Sequence, residues 1–405
     1  MQILKRLHKI PFYLLALLLV VMVRLIKPFY LVRFGPLFSS RIGHFAGNTE
    51  LYLCEKDAGI NVPKKPYIDL FYMDGRISNY QLCRMWKRVL CVWPSSILGP
   101  AVTIVRIIGR FFPKWKNHEI GNNLQHDRDI FNLLEKFPPH LSFTDDEEAQ
   151  GKAALKEMGI NENDQFVCLI VRDSSYLEEK QPGTTSYHDY RDSDIDKYRH
   201  ASEELANQGY FVIRMGALVE KPLISTNPKV IDYATNGLRS DFMDIYLCSK
   251  CHFFISNSCG LDAVATLFRS PLVIVNMAPL GYIPTWRSDT LFISKHYWSI
   301  AKSRKLTVKE IFSNNVGFLL RSEKYESNGI YLIDNTPREI LSVVIEMVRR
   351  LDETLKLTED DECNQEKFWS QFSSDKIAEN NLPLHGEIRS RIGTEFLKIN
   401  QNWLS

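Results

Sequence analysis

Several familiar signatures are missing from this 405-residue chain, and each absence argues against a class of function. There is no G-x-x-x-x-G-K-[ST], which argues against a P-loop kinase or nucleotide hydrolase. No G-x-G-x-x-G follows a strand pattern, which argues against a dinucleotide dehydrogenase. No DxD stands in a strand-to-loop setting that would ask for a divalent metal. The absence of any N-x-[ST] sequon agrees with a protein that does not cross a secretory membrane. Eight cysteines are scattered through helix-like and strand-like segments, the pattern of a reducing compartment rather than of a disulfide framework. Cys248 and Cys251 form a CxxC, but no second pair follows at zinc spacing, so they read as buried thiols at a helix end and strand start. Long apolar runs are also scarce. The longest, IPFYLLALLLVVMVRLI at 10–26, falls short of the about 20 apolar residues a spanning helix needs. No small-residue cleavage site follows it, which argues against a signal peptide.

What the chain does have is a strong division of charge. The formal net charge is only +2, but residues 1–120 carry 18 Lys/Arg against 6 Asp/Glu, leaving 32 against 42 for the remainder. The first part (+12) should therefore face something anionic. Its apolar content favours a phospholipid surface over nucleic acid. Basic residues flank the 10–26 run on both sides, Lys5, Arg6 and Lys9 before it and Lys27, Arg33 and Arg41 after, which suits a helix lying in or dipping into an anionic interface. A second membrane-surface candidate is SSILGPAVTIVRIIGRFFPKWK at 95–116, where arginines interleave with apolar residues; a buried helix with snorkelling arginines reads equally well.

Strand and helix patterns then alternate, which predicts an α/β chain with parallel sheets. The expected divisions are a membrane-associated segment (1–28), a first Rossmann-like domain (29–160), a second (161–355) and a polar tail (356–405). In the first, FYLVRF and PYIDLFYM read as strands and ISNYQLCRMWKRVL as a helix, with VLCVWP a third strand candidate. In the second, QFVCLIVRD, YFVIRMG, KVIDYA, CHFFIS and SPLVIVNM read as five short strands joined by helices, the pattern of a doubly wound sheet. No internal repeat appears beyond these two units.

Ligands of such sheets bind beyond the carboxyl ends of the strands. The best candidate there is S-N-S-C-G at 256–260, between a buried strand and a helix. Free N–H groups at a helix start attract anions. Ser256, Asn257 and Ser258 would add donors, and Gly260 would allow close backbone approach. Arg172 and Arg214 follow neighbouring strands and Lys221 is close in sequence, so three cations are expected to converge on a diphosphate.

The segment FFISNSCGLDAVATLFRSPLVIVN resembles the donor-side strand–turn–helix of GT-B glycosyltransferases. Together with VCLIVRDSSYL, YRDSDIDKYRHASEELANQGYFVIRMG, VIDYA and SDFMDIYLCSKCHFFISNSCGL, it resembles a family of bacterial surface-polysaccharide glycosyltransferases. RIGHFAGNTELYL (41–53) resembles that family's first-domain loop, and the likeness covers roughly residues 30–300. The VRD segment more distantly resembles the strand end of fucosyltransferase-like enzymes. The histidine expected there is replaced by Ile170 and Val171, a departure that weighs against a GDP-fucose donor.

The resemblance implies two Rossmann-like domains facing a cleft, acceptor in the first and donor in the second, and transfer from a nucleotide-diphosphate sugar to a lipid-linked or surface-polysaccharide acceptor. The sugar nucleotide would be a co-substrate, with no cofactor and no metal. Ser256, Asn257, Ser258 and Gly260 would hold the diphosphate while Arg172 neutralises it. The base would be His44, in the loop SSRIGHF, or Asp74 after the second strand. Asp173 is a third candidate, more suited to orienting Arg172. The expected place is the cytoplasmic face of a bacterial inner membrane. Alternatives are a sugar-nucleotide epimerase or hydrolase of the same fold, and a non-catalytic membrane-bound glycan- or nucleotide-binding protein. A sulfo- or phosphotransferase fits less well, because the phosphate loop comes late in the chain.

Overall fold

The computed structural model describes residues 10–121, 127–175, 179, 186–372 and 385–405. The chain forms two compact units: residues 1–128 with 136–144, and residues 129–135 with 145–405. It therefore passes between the units three times.

The first unit opens with helix α1 (Ile10–Ile26), strand β1 (Leu31–Leu37) and helix α2 (Ile42–Asp57). Strand β2 (Tyr67–Met73) and helices α3 (Tyr80–Val89) and α4 (Ser95–Phe111) follow. β1 and β2 pair in parallel with Val32 opposite Ile68 and Phe34 opposite Leu70. Single parallel bridges, Phe34 to Glu119 and Phe71 to Val92, extend the pair on both edges. The third strand expected around VLCVWP is thus reduced to one bridge. Alternation along the strands decides which side each residue serves. Val32, Phe34 and Leu70 join a buried cluster with Ala16, Val20 and Val23 of α1 and Leu98, Ala101, Val102 and Val105 of α4. The i, i+4, i+7 and i, i+3, i+4, i+7 spacings are those of helix faces. Burying one such valine is worth roughly 1.5–3 kcal/mol. α1 is therefore a packed element of this unit, where the sequence had suggested a separate segment.

On the opposite sheet face, Arg33 and Asp69 are register partners joined by two hydrogen bonds of 2.6 Å. Tyr52 of α2 also donates to Asp69, and its ring meets Phe71 edge-on at 5.2 Å. Trp86 of α3 donates to the carbonyl of Phe45 at 3.0 Å.

Among the described residues no helix is long and apolar enough to cross a membrane. The side of α1 turned away from the sheet is nonetheless apolar and bare: Leu14, Leu18, Met22 and Leu25 are exposed, as is Phe29 beyond it, whereas the exposed residues of α4 mix Ile107 and Phe111 with Thr103, Arg106 and Arg110, and Phe112 is exposed just after it. Basic groups gather at that end. Arg24 lies 5.0 Å over the Trp115 ring, Lys27 donates to the carbonyl of Lys114 at 2.9 Å, and Lys65 donates to the carbonyl of Lys27. Partial burial and then the charges of Arg24, Lys65 and Lys114 lower the pKa of Lys27.

The second unit begins with α5 (Asp145–Glu157), β3 (Phe166–Ile170), α6 (Arg199–Asn207), β4 (Phe211–Met215) and β5 (Val230–Ile231). It continues through α7 (Asp241–Lys250), β6 (Phe254–Ser256), α8 (Asp262–Leu267), β7 (Leu272–Met277) and β8 (Thr290–Ser294). Then come β9 (His296–Ser299), β10 (Arg304–Lys305), α9 (Val308–Ser313), α10 (Ser322–Ser327), β11 (Ile330–Ile333) and α11 (Pro337–Leu351). The last elements are α12 (Glu359–Gln371), β12 (Arg391–Ile392) and α13 (Thr394–Ile399).

Seven strands form one parallel sheet in the order β12-β8-β7-β6-β3-β4-β5. The chain starts this sheet at β3, builds outward through β4 and β5, then returns to lay β6 against the other edge of β3. The strand order thus reverses between β3 and β6, as a doubly wound sheet requires. An antiparallel sheet, β10-β9-β11, lies outside the expected pattern.

Two expectations about boundaries give way. α5, placed ahead of the expected divide at 160, belongs to the second unit: Gly151 abuts the Tyr246 ring, and Glu148 accepts from Tyr246 at 3.1 Å and Lys250 at 2.7 Å. The segment after 355 is no loose tail where it is described. β12 pairs with β8, and Phe368, Phe396 and Trp403 are buried in a ring cluster.

Candidate functional site

The reversal between β3 and β6 is where polar side chains gather. The main-chain N–H of Arg172, two residues past β3, donates to Asn257 Oδ1 just past β6 at 2.8 Å. Asn257 Nδ2 in turn donates to the carbonyl of Arg191 at 3.0 Å. The Arg172 guanidinium donates through Nη1 to the carbonyl of His188 at 3.0 Å and to the carboxylate of Asp192. The Arg191 guanidinium donates to the carbonyl of Ser258. Two donors remain: among the described residues, neither Arg172 Nη2 nor Arg191 Nε has a hydrogen-bond partner, and both atoms are buried. A buried charged donor left unmatched costs on the order of 1–3 kcal/mol or more.

Electrostatics around this pair carry the same mark. Burial lowers the pKa of Arg172, although Asp192 works to raise it. Burial also pushes Asp192 up to about 6, against the opposing charges of Arg172 and Lys295. Both partners are shifted toward neutrality, so the pair does not offset what each lost on leaving water. Further along the strand ends, Lys295 beyond β8 donates to the Asp192 carbonyl at 2.7 Å and meets Asp334 at 2.8 Å. Burial opposes the charge on Asp334, but Lys295 and Lys197 outweigh it and hold its carboxyl below the usual range. Asn276, at the end of β7 with φ +55°, donates to Ser193 and Tyr198.

The turn 256–260 is built differently from the anion cradle expected of it. α8 begins only at Asp262 and has six residues, and the Asp262 carboxylate folds back into the turn. It accepts from Ser256 Oγ at 2.9 Å and from the Cys259 N–H at 3.0 Å, while Ser256 Oγ accepts from the Ser258 N–H at 3.0 Å. The donors meant for phosphate are thus largely taken by the chain's own acceptors. Ser256 and Asn257 are buried, and Ser258 rather than Gly260 takes the left-handed backbone, at φ +65°. A serine held there is strained by roughly 1–3 kcal/mol.

No protein-family model and no curated protein matches the chain. Several solved structures are similar in chain path, three of them as follows. ADP-heptose lipopolysaccharide heptosyltransferase II of E. coli covers 79% of this chain and 98% of its own, at 13% identity and a TM-score of 0.42. A family 9 glycosyl transferase from Veillonella parvula covers 79% and 97%, at 12% identity and 0.44. An E. coli heptosyltransferase with ADP covers 74% and 99%, at 10% identity and 0.31. Similarities of this size assign no activity.

The remaining expected residues are dispersed. Arg214 lies within β4, fully buried, and donates to Asp232 at 3.2 Å and to the carbonyl of Lys221 at 3.2 Å. Lys221 is held between Asp194 and Asp196 at 2.6 Å each, which raises its pKa. Both cations already have anionic partners, so the expected three-cation cluster is not formed. Asp173 caps two loops, accepting from Ser175 and Glu220 main-chain N–H groups, and it is Asp192 that holds Arg172. In the first unit, His44 sits in the first turn of α2 rather than in a loop, because the helix starts at Ile42. Its Nδ1 meets Asn48 Oδ1 at 3.2 Å and its ring is half-exposed. Asp74, just past β2, accepts from Ser39 N at 3.0 Å and Oγ at 3.2 Å. His44 and Asp74 thus both lie at the carboxyl end of the β1–β2 pair. Cys248 and Cys251 are buried free thiols at the end of α7.

Sequence reasoning missed Arg191, Asp192, Lys295 and Asp334. Lys295 was findable as the residue directly after the apolar run TLFIS. Arg191 and Asp192 carry no such signal, since they arrive from a long loop.

Proposed function

We propose that this protein is a glycosyltransferase that takes a sugar from a nucleotide-diphosphate donor. The observation carrying this reading is the pair of buried guanidinium donors, Arg172 Nη2 and Arg191 Nε, that have no partner among the described residues at the strand reversal. Fixed, desolvated N–H groups suit an oxyanion that gains charge during reaction. In the transfer, an acceptor hydroxyl oxygen bonds to the anomeric carbon, the bond from that carbon to the diphosphate breaks, and the hydroxyl proton passes to a base. The leaving diphosphate carries the electron pair, and Arg172 and Arg191 take up its charge. Ser258 and Gly260 border this place, with Ser256 and Asn257 shaping it from beneath. Arg214 and Lys221 brace β4 and the following loop. His44 and Asp74 are the base candidates, at the strand ends of the first unit.

We assign the acceptor to a lipid-linked or surface-polysaccharide glycan, and the protein to an anionic membrane surface such as the cytoplasmic face of a bacterial inner membrane. The bare apolar side of α1 and the exposed Ile107, Phe111 and Phe112 at the end of α4, bordered by Arg24, Lys27, Lys65 and Lys114, support attachment to such a surface.

The test is thermal melting with UDP-, GDP-, ADP-, CMP- and dTDP-sugars. The midpoint should rise with the concentration of one of them. Arg191→Ala and Arg172→Lys should each weaken that response by roughly ten- to a hundredfold in ligand concentration, the worth of a hydrogen bond to a charged group. No rise with any donor at millimolar levels would sink the reading. A rise accompanied by alteration of the donor without any acceptor would favour an epimerase or hydrolase instead.

A further inference from the structure

A second cluster of reactive side chains lies in the first unit, along the later turns of α2. Glu50, Cys54 and Asp57 stand at i, i+4 and i+7 of α2, on one face of the helix. His140 reaches them from the segment 136–144, which rejoins this unit after the chain's excursion into the other. His140 Nδ1 lies 3.1 Å from Glu50 Oε1, and Cys54 Sγ lies 3.8 Å from the same oxygen. A ligand atom from each of Glu50, Cys54 and His140 falls within 4.8 Å of the other two. The far ring nitrogen of His140, Nε2, is held by Asp57 Oδ2 at 3.0 Å.

We propose that Glu50, Cys54 and His140 bind a divalent transition-metal ion, with zinc the best fit. Four ligands around zinc at about 2.0–2.3 Å place neighbouring donor atoms roughly 3.3–3.8 Å apart. The two measured edges, 3.1 and 3.8 Å, fall in or within about 0.2 Å of that range, and the third, at no more than 4.8 Å, needs at most about an ångström of side-chain movement. The donor set of one thiolate, one imidazole and one carboxylate is the mixed, borderline-soft set that zinc and cobalt take. Charge agrees as well: a buried thiolate and a buried carboxylate sum to −2, which one divalent ion cancels. Asp57 does what an outer carboxylate does for a metal-bound histidine, fixing the ring so that Nδ1 points at the ion. On binding, the Cys54 thiol proton and any proton on His140 Nδ1 are released to solvent, the thiolate and the ring nitrogen bond to the ion, and water fills the fourth position. The ion would pin segment 136–144 to α2. The expectation of metal-free chemistry concerned sugar transfer, and the ion proposed here takes no part in that step.

The experiment uses the full chain, purified without a polyhistidine tag, stripped with a chelator and titrated with Co(II). One equivalent should bind and give a thiolate-to-cobalt charge-transfer band in the near ultraviolet, with tetrahedral d–d bands in the visible. Cys54→Ser should abolish the near-ultraviolet band, whereas the double variant Cys91→Ser/Cys363→Ser, which removes the two exposed thiols, should keep it. Asp57→Asn alters only a half-exposed side chain and should weaken binding about ten- to a hundredfold with the fold intact. No stoichiometric binding, a band that survives Cys54→Ser, or unchanged affinity in Asp57→Asn would each overturn the assignment and leave a simple imidazolium–carboxylate cluster.

Discussion

Replacing Glu339 by glutamine tests how the end of the chain is fastened to the second unit. Glu339 is buried in the first turn of α11 and forms a capping box with Thr336. The same carboxylate meets His296 Nε2 of β9 at 3.0 Å and accepts from Asn400 Nδ2, beyond α13, at 2.9 Å. Burial would raise its pKa, but the hydrogen bond and charge of His296, the Thr336 N–H and Asn400 together hold it at about 2. An ordinary glutamate titrates near 4.5. At about 1.36 kcal/mol per pKa unit this corresponds to about 3 kcal/mol of stability. The carboxyl is depressed on folding, so that contribution is complete above about pH 4.5 and disappears as the pH falls through about 2. Glutamine keeps the shape and part of the cap but cannot carry the charge. At neutral pH, Glu339→Gln should therefore lower the melting midpoint of this unit by about 6–12 °C, taking about 2–4 °C per kcal/mol for a unit of this size. Midpoints of both proteins, followed by circular dichroism from pH 7 down to pH 2, should converge as the wild type loses its charge. A gap of constant size across that range would refute the reasoning, since it would show that packing, not ionisation, sets the cost.

Three other outcomes follow from the packing and the surface. Leu18→Asp, on the bare side of α1, should cut co-flotation with vesicles containing anionic lipid by at least tenfold and leave the melting midpoint within a few degrees; equal flotation would dismiss that face as a membrane contact. Gly151→Ala sets a methyl group into the Tyr246 ring and should destabilise the second unit by about 1–3 kcal/mol, read by urea unfolding. Arg33→Met strands the Asp69 carboxylate in the first unit and should cost about 3–5 kcal/mol, also read by urea unfolding, whereas Arg33→Met with Asp69→Leu should recover much of that loss.

The parts of the fold that could be read from sequence are those with enough residues to show a period. β1, β2, β3, β4, β6 and β7 are apolar runs bounded by turn residues, and their connections run through amphipathic helices. β8 (TLFIS) is an apolar run of the same kind and equally legible, whereas β12 is two residues long, below the reach of any periodicity. The chain beyond 355 looked like a tail because its burial rests on isolated rings, Phe368, Phe396 and Trp403, spaced among polar residues. In the site, the strand-end rule located the β3–β6 reversal and Arg172 with it. It could not show that Asp262 turns back to fill the Ser256 turn, since a helix-start aspartate reads the same whether it faces solvent or its own loop. Arg214 and Lys221 misled for a related reason. Proximity to a strand end is visible in sequence, but an aspartate already bound to the cation is not.

The short excursion of residues 129–135 into the second unit sets the order in which the chain can finish folding during synthesis. Asn132 donates to the carbonyl of Glu387 at 2.7 Å, and Glu135 accepts from Arg389 at 2.5 Å. These partners are made 255 and 254 residues later, so at roughly 5–20 residues per second the ribosome keeps the excursion waiting about 13–51 s. His140 follows directly behind it and closes the first unit on Glu50 and Asp57. A nascent chain can therefore dock His140 early while residues 129–135 stay unpaired, and a ribosome stalled before Glu387 would hold a first unit that is closed beside a second that is not.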